Sequence, residues 1–199
     1  MAVKLSRIAA LAVLPLALSA CVSIGGKSKV PPTLLTLTPA AVAPAGSVAS
    51  ARPAEALMVL EPETDQVLSV LRIPVQVDAA NVAYIKDAQW IERPARLFRA
   101  LLAETLRAKG GRLILEDTQA TVPTAGSRLA GRLIAMGYDA PTSSVVVRYD
   151  AIRTSAGGAV QTKRFESVIP GVRAKGEDIG PALNRAANDV AAQVADWVG

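Results

Sequence analysis

The residue with the most defined chemistry is Cys21, the one cysteine in the chain. It closes the tetrapeptide Leu18-Ser19-Ala20-Cys21, with a leucine three residues before the thiol and two small residues directly before it. A thiol in that setting is a substrate for lipid transfer. The sulfur takes a diacylglycerol, cleavage before the cysteine frees its amine, and the amine is acylated in turn. Several acyl chains then hold the chain at a bilayer, where a single one would bind only marginally.

The residues ahead of Cys21 fit that chemistry. Met1 to Arg7 carry Lys4 and Arg7 and no acidic residue, and Ile8 to Leu18 is apolar apart from Pro15. That is the order of a secretory signal, in a run too short to span a membrane comfortably. The sequence therefore predicts a signal peptide over 1–20, a lipidated tether over 21–54 and a periplasmic domain over 55–199. Val22 and Ser23 follow the cysteine. An Asp at the first of these is the usual inner-membrane retention signal in enteric-type bacteria, so the expected location is the periplasmic face of the outer membrane.

Other reactive constellations are excluded or weak. The chain has no histidine, which removes the commonest general base and metal ligand and with them zinc fingers and Ser/His/Asp or Cys/His arrangements. Gly157-Gly158 lacks phosphate-loop spacing, and Ser127 lacks the second glycine of a nucleophile elbow. Adjacent strand residues point to opposite faces, so Glu116 and Asp117 are poorly placed to share acid–base work. Glu61, Glu63 and Asp65 read as a loose, solvated loop cluster with too few oxygens at fixed spacing for a cation. The expectation is a non-enzyme with no cofactor and no metal. The formal charge of +5 falls to +3 once Lys4 and Arg7 are removed, too diffuse a footprint for nucleic acid.

One basic stretch remains. Arg93, Arg96, Arg99, Arg107, Lys109 and Arg112 are opposed locally only by Glu92 and Glu104. Arg93, Arg96, Arg99 and Arg107 are candidate contacts for anionic headgroups or an acidic partner. The plainer alternative is a solvated helix face whose arginine stems cover apolar edges.

The elements that would position these residues follow from periodicity. Val22 to Ala54 is rich in Gly, Pro, Ala and Ser and reads as a tether. Thr33 to Pro39 within it is a β-prone run that could dock on the domain as an extended edge. Ala56–Leu60 and Leu68–Val77 read as strands, with Pro74 marking an edge or a bulge. Trp90 to Lys109 reads as a helix, with apolar residues at steps of three and four and Gly110-Gly111 as its stop. Arg112–Glu116, Ser127–Tyr138, Ser143–Thr154 and Val160–Ile169 are further strands. A second helix is expected from Pro181 to Val198, with Leu183, Ala187, Val190, Val194, Trp197 and Val198 on its apolar stripe. Trp90 and Trp197 are expected in the core. These elements predict an α+β two-layer sandwich: a mixed, mostly antiparallel sheet of about five strands with two amphipathic helices on one face. The first helix could bridge parallel neighbours.

Leu35-Thr36-Leu37-Thr38-Pro39 near the anchor, the strand Arg72 to Val77, and Trp90-Ile91-Glu92-Arg93-Pro94 opening a leucine-rich helix resemble the auxiliary lipoprotein family of ABC-type transport systems, which includes the paraquat-inducible lipoprotein. Asp78 to Val82 departs from that family's usual segment after the strand, as do Ile91 and Arg93 at the helix start. The resemblance implies partners: an ABC ATPase, its permease and a periplasmic MCE-domain protein, which together move phospholipid or other hydrophobic molecules between the two membranes. It implies a non-catalytic docking or binding role, with homo-oligomerisation conceivable. Two other readings stay open. One is an outer-membrane assembly lipoprotein resembling the lipopolysaccharide-transport plug; the other is a carboxylate-based lipid or cell-wall hydrolase.

Overall fold

The computed structural model describes residues 33–117 and 126–199. In chain order the elements are β1 (Leu57–Val59), β2 (Glu63–Thr64), β3 (Arg72–Gln76), β4 (Val82–Gln89), α1 (Pro94–Lys109), β5 (Ile114–Glu116), β6 (Ser127–Asp139), β7 (Ser144–Thr154), β8 (Val160–Ile169) and α2 (Gly176–Val198). All eight strands belong to one mixed sheet, and both helices pack against it. The fold is the expected α+β sandwich with a larger sheet.

Strand β6 organises that sheet. One edge pairs along its length with β7, antiparallel, and β7 pairs with β8 in the same sense. The other edge meets three short parallel partners in succession: β1 at Ser127–Leu129, β2 at Arg132–Leu133, and β3 at Tyr138–Asp139. Antiparallel pairing therefore supplies most of the ladder. Strand β5 pairs with β1 and β4 with β3. The two strands expected to neighbour each other across α1, β3 and β5, do not pair; β1 receives β5 instead.

The core lies between sheet and helices, because strand alternation sends every second side chain inward. Val145, Val147, Tyr149 and Ala151 of β7 are buried, while Val146, Arg148 and Asp150 between them are only half-buried, as their alternation predicts. Phe98 of α1 meets Tyr149 edge-on at 5.2 Å between ring centroids, an arrangement that adds about 1 kcal/mol beyond burial. The Tyr149 hydroxyl donates to the Ala130 carbonyl at 2.8 Å, and burial pushes its pKa well up. Trp90 is fully buried; Trp197 is partly buried and packs on Phe165 at 5.6 Å.

Two local expectations need correction, and one strand was not anticipated. Trp90 does not open α1. It ends the extended segment after β4 and accepts a bridge from Leu35, and the helix begins at Pro94, whose missing N–H is no loss in a first turn. The second helix starts at Gly176, not Pro181. Asp87 of β4 accepts from the Gly176 amide at 3.3 Å, and Pro181 sits inside the second turn at the loss of one intrahelical bond. Strand β4 has no counterpart in the sequence reading. It returns from β3 through a tight turn in which the Asp78 carboxylate accepts from the amides of Ala80 and Asn81. Pro74 marks a register shift between β3 and β4, the bulge its type suggests.

Candidate functional site

Cys21 and the signal-like segment lie outside the described residues. The structure does show how the chain that follows them joins the domain. Residues 33–43 form an extended strap. The Leu35 amide donates to the Gln89 carbonyl at 2.7 Å and the Ile91 amide donates to the Leu35 carbonyl at 2.9 Å, so the strap enters as one more parallel rung beside β4. Leu37 is buried in the core. The Thr38 and Ala40 amides donate to the side-chain oxygens of Asn184 (2.8 Å) and Asn188 (2.7 Å), and Asn188 Nδ2 donates back to the Thr38 carbonyl at 3.0 Å. Asn184 and Asn188 lie one turn apart on α2, so both face the same groove. The Ala43 amide then donates to Glu104 of α1 at 2.8 Å. Gly180 makes room for the strap, since a Cβ there would lie 2.8 Å from Leu35 Cδ2. The docked edge segment expected from the β-prone run is present, held by asparagines whose sequence spacing carries little signal.

The four candidate arginines do not form one surface. Arg99 is buried, with Nη1 2.7 Å from Asp117 and 3.4 Å from Glu61, and Nε 3.4 Å from Glu116. Arg107 reaches Glu116 at 2.7 Å and Glu104 at 3.5 Å. Arg96 sits in looser pairs with Glu61 and Glu92, at 3.9 and 3.8 Å. Arg93 is exposed and has no ion pair among the described residues. Two readings of acidic residues also change. Glu61 is not simply solvated but faces Arg99. Glu116 and Asp117 converge because β5 ends at Glu116 and the turn at Asp117 breaks the alternation of faces.

The helix-free face of β6, β7 and β8 carries the second arrangement of note. Its middle is a ladder of opposite charges: Arg132 with Asp65, Asp150 with Arg164 at 2.6 Å, and Arg148 with Glu166. Hydrogen bonding from Arg164 holds the Asp150 carboxyl below its ordinary value, and Asp150 raises Arg164 in return. Ile152, Val160 and Val168 are exposed around this ladder. A groove of about 690 Å³ runs between Glu61–Glu63 and β6–β8, and a second of about 260 Å³ lies near Val67, Pro74 and Arg148. This face can bind by mixed polar and apolar contact. Among the described residues no group of side chains is arranged to hold a metal ion, and no helix is long and apolar enough to cross a membrane.

Fold and surface together define a two-layer α+β domain, strapped at its N-terminal end, with one sheet face left open among the described residues. Its sequence matches the ABC-type transport auxiliary lipoprotein component family over residues 35–195, and the chain belongs to that family, the one its Leu35–Pro39 and Trp90–Pro94 segments resemble. No curated protein matches the chain in sequence. Among solved structures, a DUF330 protein from Xanthomonas campestris is similar at a TM-score of 0.69, with 13% identity, covering 83% of this chain and 94% of that one. An uncharacterized protein is similar at a TM-score of 0.62, with 11% identity, covering 84% and 100%. At such identities the likeness concerns the fold.

Proposed function

We propose that this auxiliary lipoprotein is acylated at Cys21 on the periplasmic face of the outer membrane. There it acts by docking, without catalysis, for an MCE-type ABC system that moves phospholipid or other hydrophobic molecules between the membranes. Its partners in this reading are the MCE-domain protein and, through it, the permease and ATPase. The family match supports the transport role. The observation that carries the docking role is the strap. A tether gripped by Leu35, Leu37, Asn184, Asn188 and Glu104 gives the domain a fixed point of departure toward its anchor, which suits a stationary receptor that presents an open sheet face. Arg93 is the one of the four candidate arginines left free for an external anion.

The test is affinity purification of the MCE-domain protein from membranes of cells carrying this chain or its Cys21→Ala form. Co-purification of the acylated chain, weakened for the unacylated one, is the expected result. Recovery of the intact transporter without this chain, under conditions that retain its other subunits, overturns the docking role.

A further inference from the structure

One corner of the domain combines exposed apolar and cationic side chains at the point where the chain leaves toward Cys21. Gln89 pairs with Arg72 of β3 on one side and neighbours Leu34 of the strap on the other. Leu35 and Trp90 point into the core, so alternation turns Leu34, Gln89 and Arg72 toward the helix-free side. Ile91 follows directly and is also turned out. Leu34 is 42% exposed and Ile91 54%. Arg72 lies exposed over the Tyr84 ring, 4.0 Å from its centroid. Neither Arg72 nor Arg93 has an ion-pair partner among the described residues, and the nearby Glu92 is taken by Arg96.

The chain outside the described body ends at this corner. Twelve residues separate Cys21 from Leu34, and they include Lys27 and Lys29 but no acidic residue. Fully extended they reach about 45 Å, and a relaxed tether of that length spans roughly 20 Å. We propose that this corner rests on the bilayer, with Leu34 and Ile91 in the headgroup region and Arg72 and Arg93 against anionic phospholipid headgroups. Two exposed aliphatic side chains beside two unpaired guanidiniums match that surface in both polarity and charge. The sheet edge at β8, on the far side of β6, then faces away from the membrane and leaves the laddered face accessible. This inference rests on acylation of Cys21.

The test uses the mature acylated protein in vesicles of phosphatidylethanolamine with phosphatidylglycerol. Cys21 is the one native cysteine, so in the acylated chain an Ile91→Cys substitution supplies the only free thiol for an environment-sensitive fluorophore. Gln161→Cys on β8 provides the same probe at the opposite edge. The expected result is a blue-shifted probe at position 91, quenched by nitroxide-bearing lipid, beside a water-exposed probe at 161. Adding Arg72→Glu and Arg93→Glu should lower the lipid-contacting fraction at 91 about fivefold per charge, and only when anionic lipid is present. A protein that floats with the vesicles yet shows both probes equally in water overturns the corner alone. One that does not float with them overturns the acylation reading and this inference with it.

Discussion

Arg99 Nη1 lies 2.7 Å from Asp117 Oδ1, tying the middle of α1 to the turn that follows β5. The same guanidinium faces Glu61 and Glu116, and Asp117 also accepts from the Glu61 amide at 3.0 Å. One arginine thus faces three carboxylates from two separate chain segments. Breaking a buried pair from one side is costly because the remaining charges lose both water and counter-ion. Arg99→Ala is expected to lower the free energy of unfolding by about 3 kcal/mol. Arg96→Ala, an exposed residue in longer pairs, should cost less than about 1 kcal/mol. Denaturant melts of the two variants decide it, and equal midpoints would show that the cluster is energetically idle.

The strap makes a separate prediction. Asn184 and Asn188 contribute three hydrogen bonds to its backbone, each worth about 1 kcal/mol. Replacing both by Ala should expose the Thr38 and Ala40 amides to hydrogen exchange at least tenfold faster, while leaving protection in β6 and β7 unchanged. Gly180→Val should act in the same direction by pushing against Leu35. Unchanged exchange at Thr38 and Ala40 would mean that Leu35 and Leu37 hold the strap by themselves.

Much of this fold was legible in the sequence because long elements repeat their pattern. Strand β8 covers the expected Val160–Ile169, β6 and β7 begin and end within a residue of expectation, and Gly110 stops α1 with a positive φ of 75°. The misses have local causes. Strand β4 carries Lys86 and Asp87 at its bulge, which breaks the period of two. Pro181 resembles a helix start, because nothing in its neighbourhood announces that Asp87, distant in sequence, caps a turn beginning earlier. The basic run on α1 suggested an exposed surface, but Glu61, Glu116 and Asp117, which bury Arg99, come from segments whose approach only the tertiary fold creates. The charge ladder across β6, β7 and β8 depends on register, which alternation alone leaves open by whole steps of two residues.

Gly131 provides a test of that register. It sits in β6 opposite Ala151 with φ at 155°, and a Cβ there would lie 2.2 Å from the Asp150 carbonyl oxygen and 2.7 Å from the Tyr149 hydroxyl. Backbone of the central strand pair cannot yield as a flexible side chain can. Gly131→Ala is expected to destabilise the domain by about 3 kcal/mol. Gly157→Ala in the β7–β8 turn, with open space around its Cβ position, should be close to neutral. Thermal melts of the pair separate the two cases, and a neutral Gly131→Ala would contradict the pairing of β6 with β7 described above.

The ladder also sets an acid limit. Hydrogen bonds from Arg164 hold the Asp150 carboxyl below its ordinary 3.8, helped by the charges of Arg164, Arg148 and Arg132. A carboxyl depressed by folding contributes stability that is complete above the unfolded value and is lost as pH falls through the folded one. The contribution of Asp150 should therefore persist at pH 5 and fade below about pH 4. Asp150→Asn removes the titrating group. The variant should be less stable than the parent at neutral pH, by a modest amount because the pair is partly exposed and screened, and the difference should shrink as the parent's carboxyl protonates. Denaturant melts between pH 3 and pH 7 measure that difference directly, with a carboxyl-carbon titration of Asp150 alongside. A gap that stays constant down to pH 3 would mean that the Asp150–Arg164 pair contributes nothing to the pH dependence.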